Sequence, residues 1–462
     1  MSESPSLMKR IKAMPPVRLI VVSFFLIILV GTLLLMTPAA ARDGRATSFV
    51  DALFTATSAT CVTGLVPFDT WTHWSLFGQI IILGLIQTGG LGVVTFTTGF
   101  TILVRRKLGL RDLQLATENT AGNTIDVIRL VRMILVFTFS SELIGAGLLS
   151  IRFIGDYGPL RGIWISVFEA VSAYCNAGFD ILGFRWKDGS MTGYADDPLV
   201  CLTIAGLIIL GGLGFIVIND IYIKKIQPRL KKETRGHLNL HSSIVLKMTL
   251  FLLVLGTVLF FVLEYDNTLQ GHSFFEKLNI SFFQSASART AGFAAVDMGQ
   301  THDVTKLSTI FLMFIGAAPA STGGGLKVTT FIILISTVVS VIRGYDDTIL
   351  SKRRIDKAIV YRALTILGLA FLVVFVTSGV IMATNGQHPV SAIDALFESV
   401  SAFATVGLTA NVTQFLSPVS KIALSFAMFI GRVGPVSLGL ALSTHKNHKS
   451  GAVLPEGKVI VG

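Results

Sequence analysis

Phe54-TATSATCVT-Gly64, Phe168-EAVSAYCNA-Gly178, Phe282-FQSASARTA-Gly292 and Phe397-ESVSAFATV-Gly407 are four stretches of one chain that align without a gap over eleven positions. In each, a Phe stands ten residues before a Gly, and Leu65, Phe179, Phe293 and Leu408 follow the glycines. The glycines are 114, 114 and 115 residues apart. Agreement of Phe, Gly, apolar follower and period together marks an internal repeat of four units.

What flanks each stretch places it in a membrane. Residues 19–41, 74–104, 133–151, 198–219, 248–263, 307–342, 363–386 and 422–444 are apolar runs whose only charges are Glu142, Lys327 and Arg432. A bilayer needs about 20 such residues per helix. The chain is 462 residues long, 52% hydrophobic and 14% charged, whereas a soluble protein carries about 25% charged residues. The first run follows a basic start and ends in Pro38-Ala-Ala-Ala41. It is read as a span rather than a signal peptide, because it exceeds the usual ~7–15 apolar residues and the repeat needs it. Three widely spaced cysteines exclude a disulfide scaffold and offer no zinc spacing.

Alternate loops divide the charge unevenly. The N-terminus, 105–132, 220–247, 343–362 and the tail hold 26 Lys and Arg against 10 Asp and Glu, and the other loops hold 10 against 16. The positive-inside rule makes the first side cytoplasmic, with both termini inside and eight spans. The net charge of +11 is therefore an orientation signal and not a nucleic-acid footprint. Two crossings per unit return the chain to one side, so all four glycines face the same side. Odd-numbered inverted repeats would alternate. The expected fold is an all-α polytopic membrane protein with eight transmembrane helices and four re-entrant pore helices. Four pseudo-symmetric units, at 1–112, 113–232, 233–350 and 351–462, surround a central pore; the third has an interrupted second helix.

Each stretch before its Gly reads as a helix of 10–14 residues, too short to span. Ser48-x-x-Asp51 and Ser391-x-x-Asp394 open two of them with a capping pattern, and Ser273-x-x-Glu276 does so one turn earlier in the third copy. The carbonyl end of such a helix carries a partial negative charge that favours cations. The Gly then permits backbone angles closed to other residues and turns carbonyls toward an axis. Rings of backbone carbonyls that replace a hydration shell are how potassium filters work. Helix packing by small residues does not explain one Gly at the same place in every copy.

These segments, with Ser321-Thr-Gly-Gly-Gly-Leu-Lys327 and Gly431-Arg-Val-Gly-Pro435, resemble the Trk/Ktr/HKT superfamily of potassium transporters along essentially the whole chain. With eight spans and no extra helix pair, the pattern is most similar to the Ktr-type membrane subunit (KtrB). The resemblance implies channel-like potassium uptake, stimulated by sodium, in the cytoplasmic membrane; the alternative is a TrkH-type proton- or sodium-coupled transporter. It implies a homodimer in which each subunit has a pore, and a cytosolic KtrA-type ring of RCK domains that binds adenine nucleotides. The chain itself has no Rossmann or P-loop fingerprint. Lys224-Lys225 and Lys352-Arg-Arg354 are either docking surfaces for that ring or topology determinants beside anionic lipid.

The expected filter residues are Val62, Thr63 and Gly64; Asn176, Ala177 and Gly178; Thr290, Ala291 and Gly292; and Thr405, Val406 and Gly407. They would bind K⁺ through their carbonyls, with weaker discrimination against Na⁺ than filters that carry more glycines. Cys61 and Cys175 precede their glycines by three and are read as small packing residues. Gly316, Ala317, Ala318, Pro319, Ala320, Ser321, Thr322, Gly323, Gly324 and Gly325 interrupt the sixth span. Their freed backbone must line a wet cavity or be buried in protein. By resemblance this is a gating loop beneath the filter; a Pro/Gly kink is the plainer reading. Lys327 either reaches the cytoplasm or latches the loop. Arg432 lies near the pore by resemblance, repelling cations or held by loop carbonyls; otherwise it pairs with Glu142. His445 and His448 are read as part of a basic tail.

A carrier for another solute would need inverted repeats, and an ATP-driven pump subunit would carry more spans. No catalytic constellation supports an enzyme. The apolar end, Gly457-Lys-Val-Ile-Val-Gly462, resembles Ktr-type tails, and the resemblance implies that it inserts at the dimer interface. Deleting it should shift the purified protein from dimer toward monomer in light scattering; a truncated chain that stays dimeric would remove that role.

Overall fold

The computed structural model describes residues 16–92, 127–183, 190–231, 236–386 and 388–442. Each of the four related stretches sits in the same local order: a long helix, a shorter one ending just before the Gly, and a third helix that follows. The first set is α1 (Pro16–Leu35), α2 (Phe49–Cys61) and α3 (Leu76–Leu91). The second is α4 (Val127–Tyr157), α5 (Pro159–Cys175) and α6 (Pro198–Gly212), followed by α7 (Phe215–Ile221). The third is α8 (Leu240–Leu263), α9 (Phe274–Ser287), α10 (Asp303–Phe314) and α11 (Val328–Ile342). The fourth is α12 (Lys357–Thr384), α13 (Ala392–Ala404), α14 (Pro418–Val433) and α15 (Pro435–Leu442). A small hairpin, β1 (Ile349–Leu350) with β2 (Arg353–Arg354), joins the last two sets.

Helices α1, α4, α8 and α12 are long and apolar enough to cross a bilayer singly. They turn bulky side chains outward: Phe375 is 80% and Leu143 75% exposed. Such a surface suits lipid, not water. Helix α4 runs through Arg132 and Arg152, past the limits of the 133–151 run. The 198–219 run is not one straight helix, because the chain bends by 95° after Gly212. The 307–342 run is split between α10 and α11. Residues 93–104, Glu118, the tail with His445 and His448, and Gly457–Gly462 lie outside the described residues.

Capping explains where the short helices begin. Ser48 accepts from the Asp51 amide, Ser391 from the Asp394 amide and Ser273 from the Glu276 amide. Glu276 returns a bond to the Ser273 amide at 2.7 Å and completes a capping box. Helix α5 starts instead at Gly158-Pro159 and has 17 residues, longer than the expected 10–14. Pro there sacrifices no helical hydrogen bond.

Bonds between successive sets close a ring. Trp164 on α5 donates to Gln79 on α3 at 2.9 Å, and Asn279 on α9 donates to the Ala195 carbonyl before α6 at 3.3 Å. Lys306 on α10 pairs with Asp394 on α13 at 2.8 Å. Lys421 on α14 pairs with Asp51 on α2 at 2.7 Å and joins the last set to the first. On the same rim Glu264 accepts from Thr305, His302, Thr268 and Asn267. Burial pushes its carboxyl up, but these bonds outweigh it and hold the group below the ordinary range.

The gapless alignment needs one correction. Phe54, Phe168 and Phe397 are fully buried, yet in the third copy the fully buried ring is Phe283, while Phe282 is only partly covered. Three residues past each Gly lies an amide that needs an acceptor. Glu169 accepts from Ile181 at 3.0 Å, Glu398 from Ala410 at 3.2 Å and Gln284 from Ala295 at 3.3 Å. Glu169 and Glu398 precede their glycines by nine residues, Gln284 by eight. The third helix is therefore shifted by one, and its turn is one residue shorter. In the first copy the amide position is Pro67, which has no N–H, and Thr55 stands where the others carry an acceptor.

Glu398 also accepts from the hydroxyls of Thr409 and Thr413. Glu398→Ala should destabilise the fold by about 2–3 kcal/mol, since buried donors lose their acceptor. Glu398→Gln, the solution used at Gln284, should lose less than half of that. Thermal denaturation in detergent reads the difference, and equal losses would refute this account.

Candidate ion pathway

The four glycines have φ of +98°, +68°, +83° and +100° at Gly64, Gly178, Gly292 and Gly407. Two residues earlier, Val62, Asn176, Thr290 and Thr405 are also left-handed, at 52°, 59°, 76° and 51°. That conformation is uncommon for β-branched residues such as Val and Thr and costs about 1–3 kcal/mol. It is held by end-of-helix bonds. The Val62, Asn176 and Thr405 amides donate to Ala59, Ala173 and Ala402, and the next amides donate to Ser58, Ser172 and Ser401. In the shortened third copy Ala291 and Gly292 both donate to Ser287. Val62, Thr63, Asn176, Ala177, Thr290, Ala291, Thr405 and Val406 are all fully buried.

The glycines also meet one another's chains in a closed cycle. A Cβ on Gly64 would overlap the Ala177 carbonyl oxygen; on Gly178, that of Ala291; on Gly292, that of Val406; on Gly407, that of Thr63. Each Gly thus lies against the residue just before the next Gly, and the cycle returns to its start. Asn176 and Thr290 strengthen one link with a side-chain bond of 3.0 Å. All twelve expected filter residues are brought into this ring or its immediate turns.

A cavity of about 740 Å³ opens above the ring, with the four glycines among its lining. Asp69, Asp180 and Asp297 also line it. A vestibule with acidic walls raises local cation concentration.

Beneath the ring lies a second glycine pattern, of which only the Gly431-Arg-Val-Gly434 copy is among the expected motifs. Gly89-Gly-Leu-Gly92 ends α3, Gly211-Gly-Leu-Gly214 ends α6 and Gly431-Arg-Val-Gly434 ends α14. A Cβ on Gly89, Gly211 or Gly431 would strike the carbonyl of Thr60, Tyr174 or Phe403, in each case four residues before a ring glycine. Gly92, Gly214 and Gly434 stop the helices at φ of 77°, 86° and 92°. The three-fold recurrence of this spacing was the available signal. Arg432 stands where the other copies have Gly90 and Gly212.

The third set has no such motif. Residues 315–327 leave the helix and fold under the ring. Gly316 donates to Leu326 at 2.8 Å, Ala318 to Gly212 at 3.1 Å and Thr322 to Gly211 at 3.3 Å, while Phe215 donates to Ala320 at 2.9 Å. The bend between α6 and α7 thus cradles Ala317, Ala318, Pro319 and Ala320. Gly323 abuts the Thr290 hydroxyl, Gly324 donates to the Thr405 hydroxyl at 3.0 Å, and Gly325 packs on Ala404. Ser321 turns back to Ala318 at 2.6 Å.

The two cations of this region bind loop carbonyls. Lys327 Nζ donates to Gly323 at 2.6 Å, and Arg432 donates to both Thr322 and Gly89. Glu142 accepts instead from Gln87 at 3.0 Å, so the alternative Arg432–Glu142 pair does not form. Cys61 and Cys175 are free and buried; Gly90 packs on the Cys175 sulfur.

A model of the family described as TrkH, cation transport protein, matches residues 6–452. The chain is 38% identical to the Ktr system potassium uptake protein B of Bacillus subtilis, across 100% of this chain and 99% of that one. It is also 38% identical to the potassium/sodium uptake protein NtpJ of Enterococcus hirae, with 98% of each chain covered. The crystal structure of the potassium transporter TrkH from Vibrio parahaemolyticus superposes with a TM-score of 0.71 at 16% identity, covering 96% of this chain and 87% of that one. The chain is a multi-pass membrane protein and belongs to the TrkH family of cation transport proteins.

Proposed function

We propose that this protein takes up potassium through a pore whose selectivity filter is the four-glycine ring. The observation that carries the reading is the cycle of Gly–carbonyl contacts among Gly64, Gly178, Gly292 and Gly407. Four single-glycine turns, each at the carbonyl end of a short buried helix, present backbone oxygens where a dehydrated cation would sit. The 38% identity to a potassium uptake protein supports K⁺ as the cargo, and the likeness to a potassium/sodium uptake protein supports a part for Na⁺.

In this reading the eight helical runs are eight spans and the four short helices are re-entrant. The four units of residues 1–112, 113–232, 233–350 and 351–462 surround one pore, and both termini are cytoplasmic. The vestibule faces outward, in keeping with the acid-rich loops on that side. Residues 316–325 are the gate, because they lie directly beneath the ring and touch Thr290 and Thr405. Lys327 and Arg432 hold the gate shut by their bonds to Thr322, Gly323 and Gly324. A homodimer in the cytoplasmic membrane, controlled by a KtrA-type RCK ring, completes the proposal; relatives named as parts of a Ktr system support it.

Rubidium flux into proteoliposomes with an inside-negative potential tests the function. Saturable uptake that external K⁺ competes and Na⁺ stimulates is expected. No flux at any potential would overturn it.

The gate has its own test. Arg432→Gln removes two charge-assisted bonds, and Thr405→Val removes the acceptor of the Gly324 amide at nearly constant volume. Each bond of this kind contributes about 1–3 kcal/mol. Basal flux of the membrane subunit alone should rise several-fold for Thr405→Val and roughly thirtyfold or more for Arg432→Gln. Unchanged flux in both would take the loop out of the ion path.

A further inference from the structure

The position three residues before each ring glycine holds Cys61, Cys175, Arg289 and Ala404. Three are small and uncharged. Arg289 is the exception, and its side chain is only 6% exposed. Its guanidinium donates from Nη2 to the Thr249 hydroxyl of α8 at 3.3 Å, while Nε has no partner. Among the described residues no carboxylate pairs with it. A cation in this position is costly unless something offsets its charge.

What lies beside it is the end of α9. Ala288 donates to the Gln284 carbonyl, the Arg289 amide to Ala286, and Ala291 and Gly292 to Ser287. The last turn of a helix carries a partial charge of about −0.5, which favours a cation. Helices α2, α5 and α13 end at Cys61, Cys175 and Ala404, which bring no charge. Arg289 therefore sets a charge within the closing turn of one pore segment itself, which no residue of the other three segments does.

We infer that Arg289 sets how tightly the filter holds a cation, by cancelling the field of one pore helix. The inference rests on the reading of the ring as a filter. Conduction needs a site attractive enough to admit the ion and weak enough to release it. Four uncompensated helix ends would bind more tightly and release more slowly. The neighbour Thr290 carries the effect into the ring, since it bonds Asn176 and backs onto Gly323. Arg289 is a positioning charge: it acts through the backbone of the third segment.

Two variants test this by different routes. Arg289→Met removes the charge and keeps most of the volume. Thr249→Asp leaves the arginine in place and sets a carboxylate beside it, so the charge is neutralised without emptying the site. Both should lower the half-saturating rubidium concentration in proteoliposome flux several-fold and lower the maximal rate; Arg289→Lys should keep both near wild type. Rubidium protection against thermal unfolding in detergent should show the same tightening without any need for flux. A half-saturating concentration within twofold of wild type in both neutralised variants, or a fall in rate alone that lysine does not rescue, would overturn the inference. Failure of wild-type flux would instead strike at the transport function itself. If Arg289→Met does not fold, Thr249→Asp and the unfolding measurement still decide.

Discussion

A helix that stops in the middle of an apolar slab leaves its last carbonyls without partners, and water is not there to take them. Helices α2, α5, α9 and α13 all stop in the buried interior, where water is equally absent, and the rest of the molecule is arranged around the consequence. A left-handed residue at the end folds two amides back onto the last turn and satisfies part of the set. The chain must then reverse at once, which demands the positive φ of the glycine two residues on. Four such reversals meet in a closed cycle, and the absence of a Cβ lets each glycine lie against its neighbour's carbonyl. The Gly89, Gly211 and Gly431 contacts repeat the logic one layer down, where a helix of the same set must approach the carbonyl of a pore helix. A residue without a Cβ is thus required on the approaching helix, while apolar side chains face out.

Much of this was legible in the amino-acid sequence because the constraint leaves a chemical trace. A glycine that cannot be replaced recurs at 114-residue spacing, and capping residues recur where short helices start. The one-residue shift of the third copy was not legible from Phe and Gly, since Phe282 and Phe283 are adjacent and either satisfies the pattern. Only the acceptor relationship separates them: Gln284 must reach the Ala295 amide, so Phe283 takes the buried place. Pro67 makes the same point from the other side, because a position without an N–H needs no acid behind it. The bend after Gly212 was missed for a different reason. Leu213 and Phe215 continue the apolar run without a break in hydropathy, and the information lies in two glycines whose approach to Tyr174 and Pro319 is a tertiary fact.

Charges near the pathway sort by side: three aspartates line the vestibule, and two cations lie against backbone carbonyls beneath the ring. Asp69, Asp180 and Asp297 are on the wide side, where water screens them and they concentrate cations without trapping any. A carboxylate at the ring would bind an ion too strongly to release it. Lys327 and Arg432 instead bind backbone carbonyls beneath the ring. Each cation is held by partial charges in place of a full counter-charge, and its hold is correspondingly adjustable.

The loop of residues 315–327 draws on that adjustability. A regular helix there would carry a ladder of bonds and would resist displacement as a unit. The loop is held by scattered contacts: Ala318 and Thr322 to the α6 bend, Phe215 to Ala320, Gly324 to Thr405, and the two cations to Thr322 and Gly323. Individual bonds of this kind contribute about 0.5–3 kcal/mol each once their exchange with water is counted. A cavity wet enough to accept the loop's freed amides and carbonyls would return most of that. On the proposed reading of the loop as a gate, displacing it would be a nearly balanced exchange of partners rather than an unfolding step. Because α6 bends at the point where it cradles Ala317–Ala320, the loop of the third set is tied to the second set by the same contacts that hold it beneath the ring.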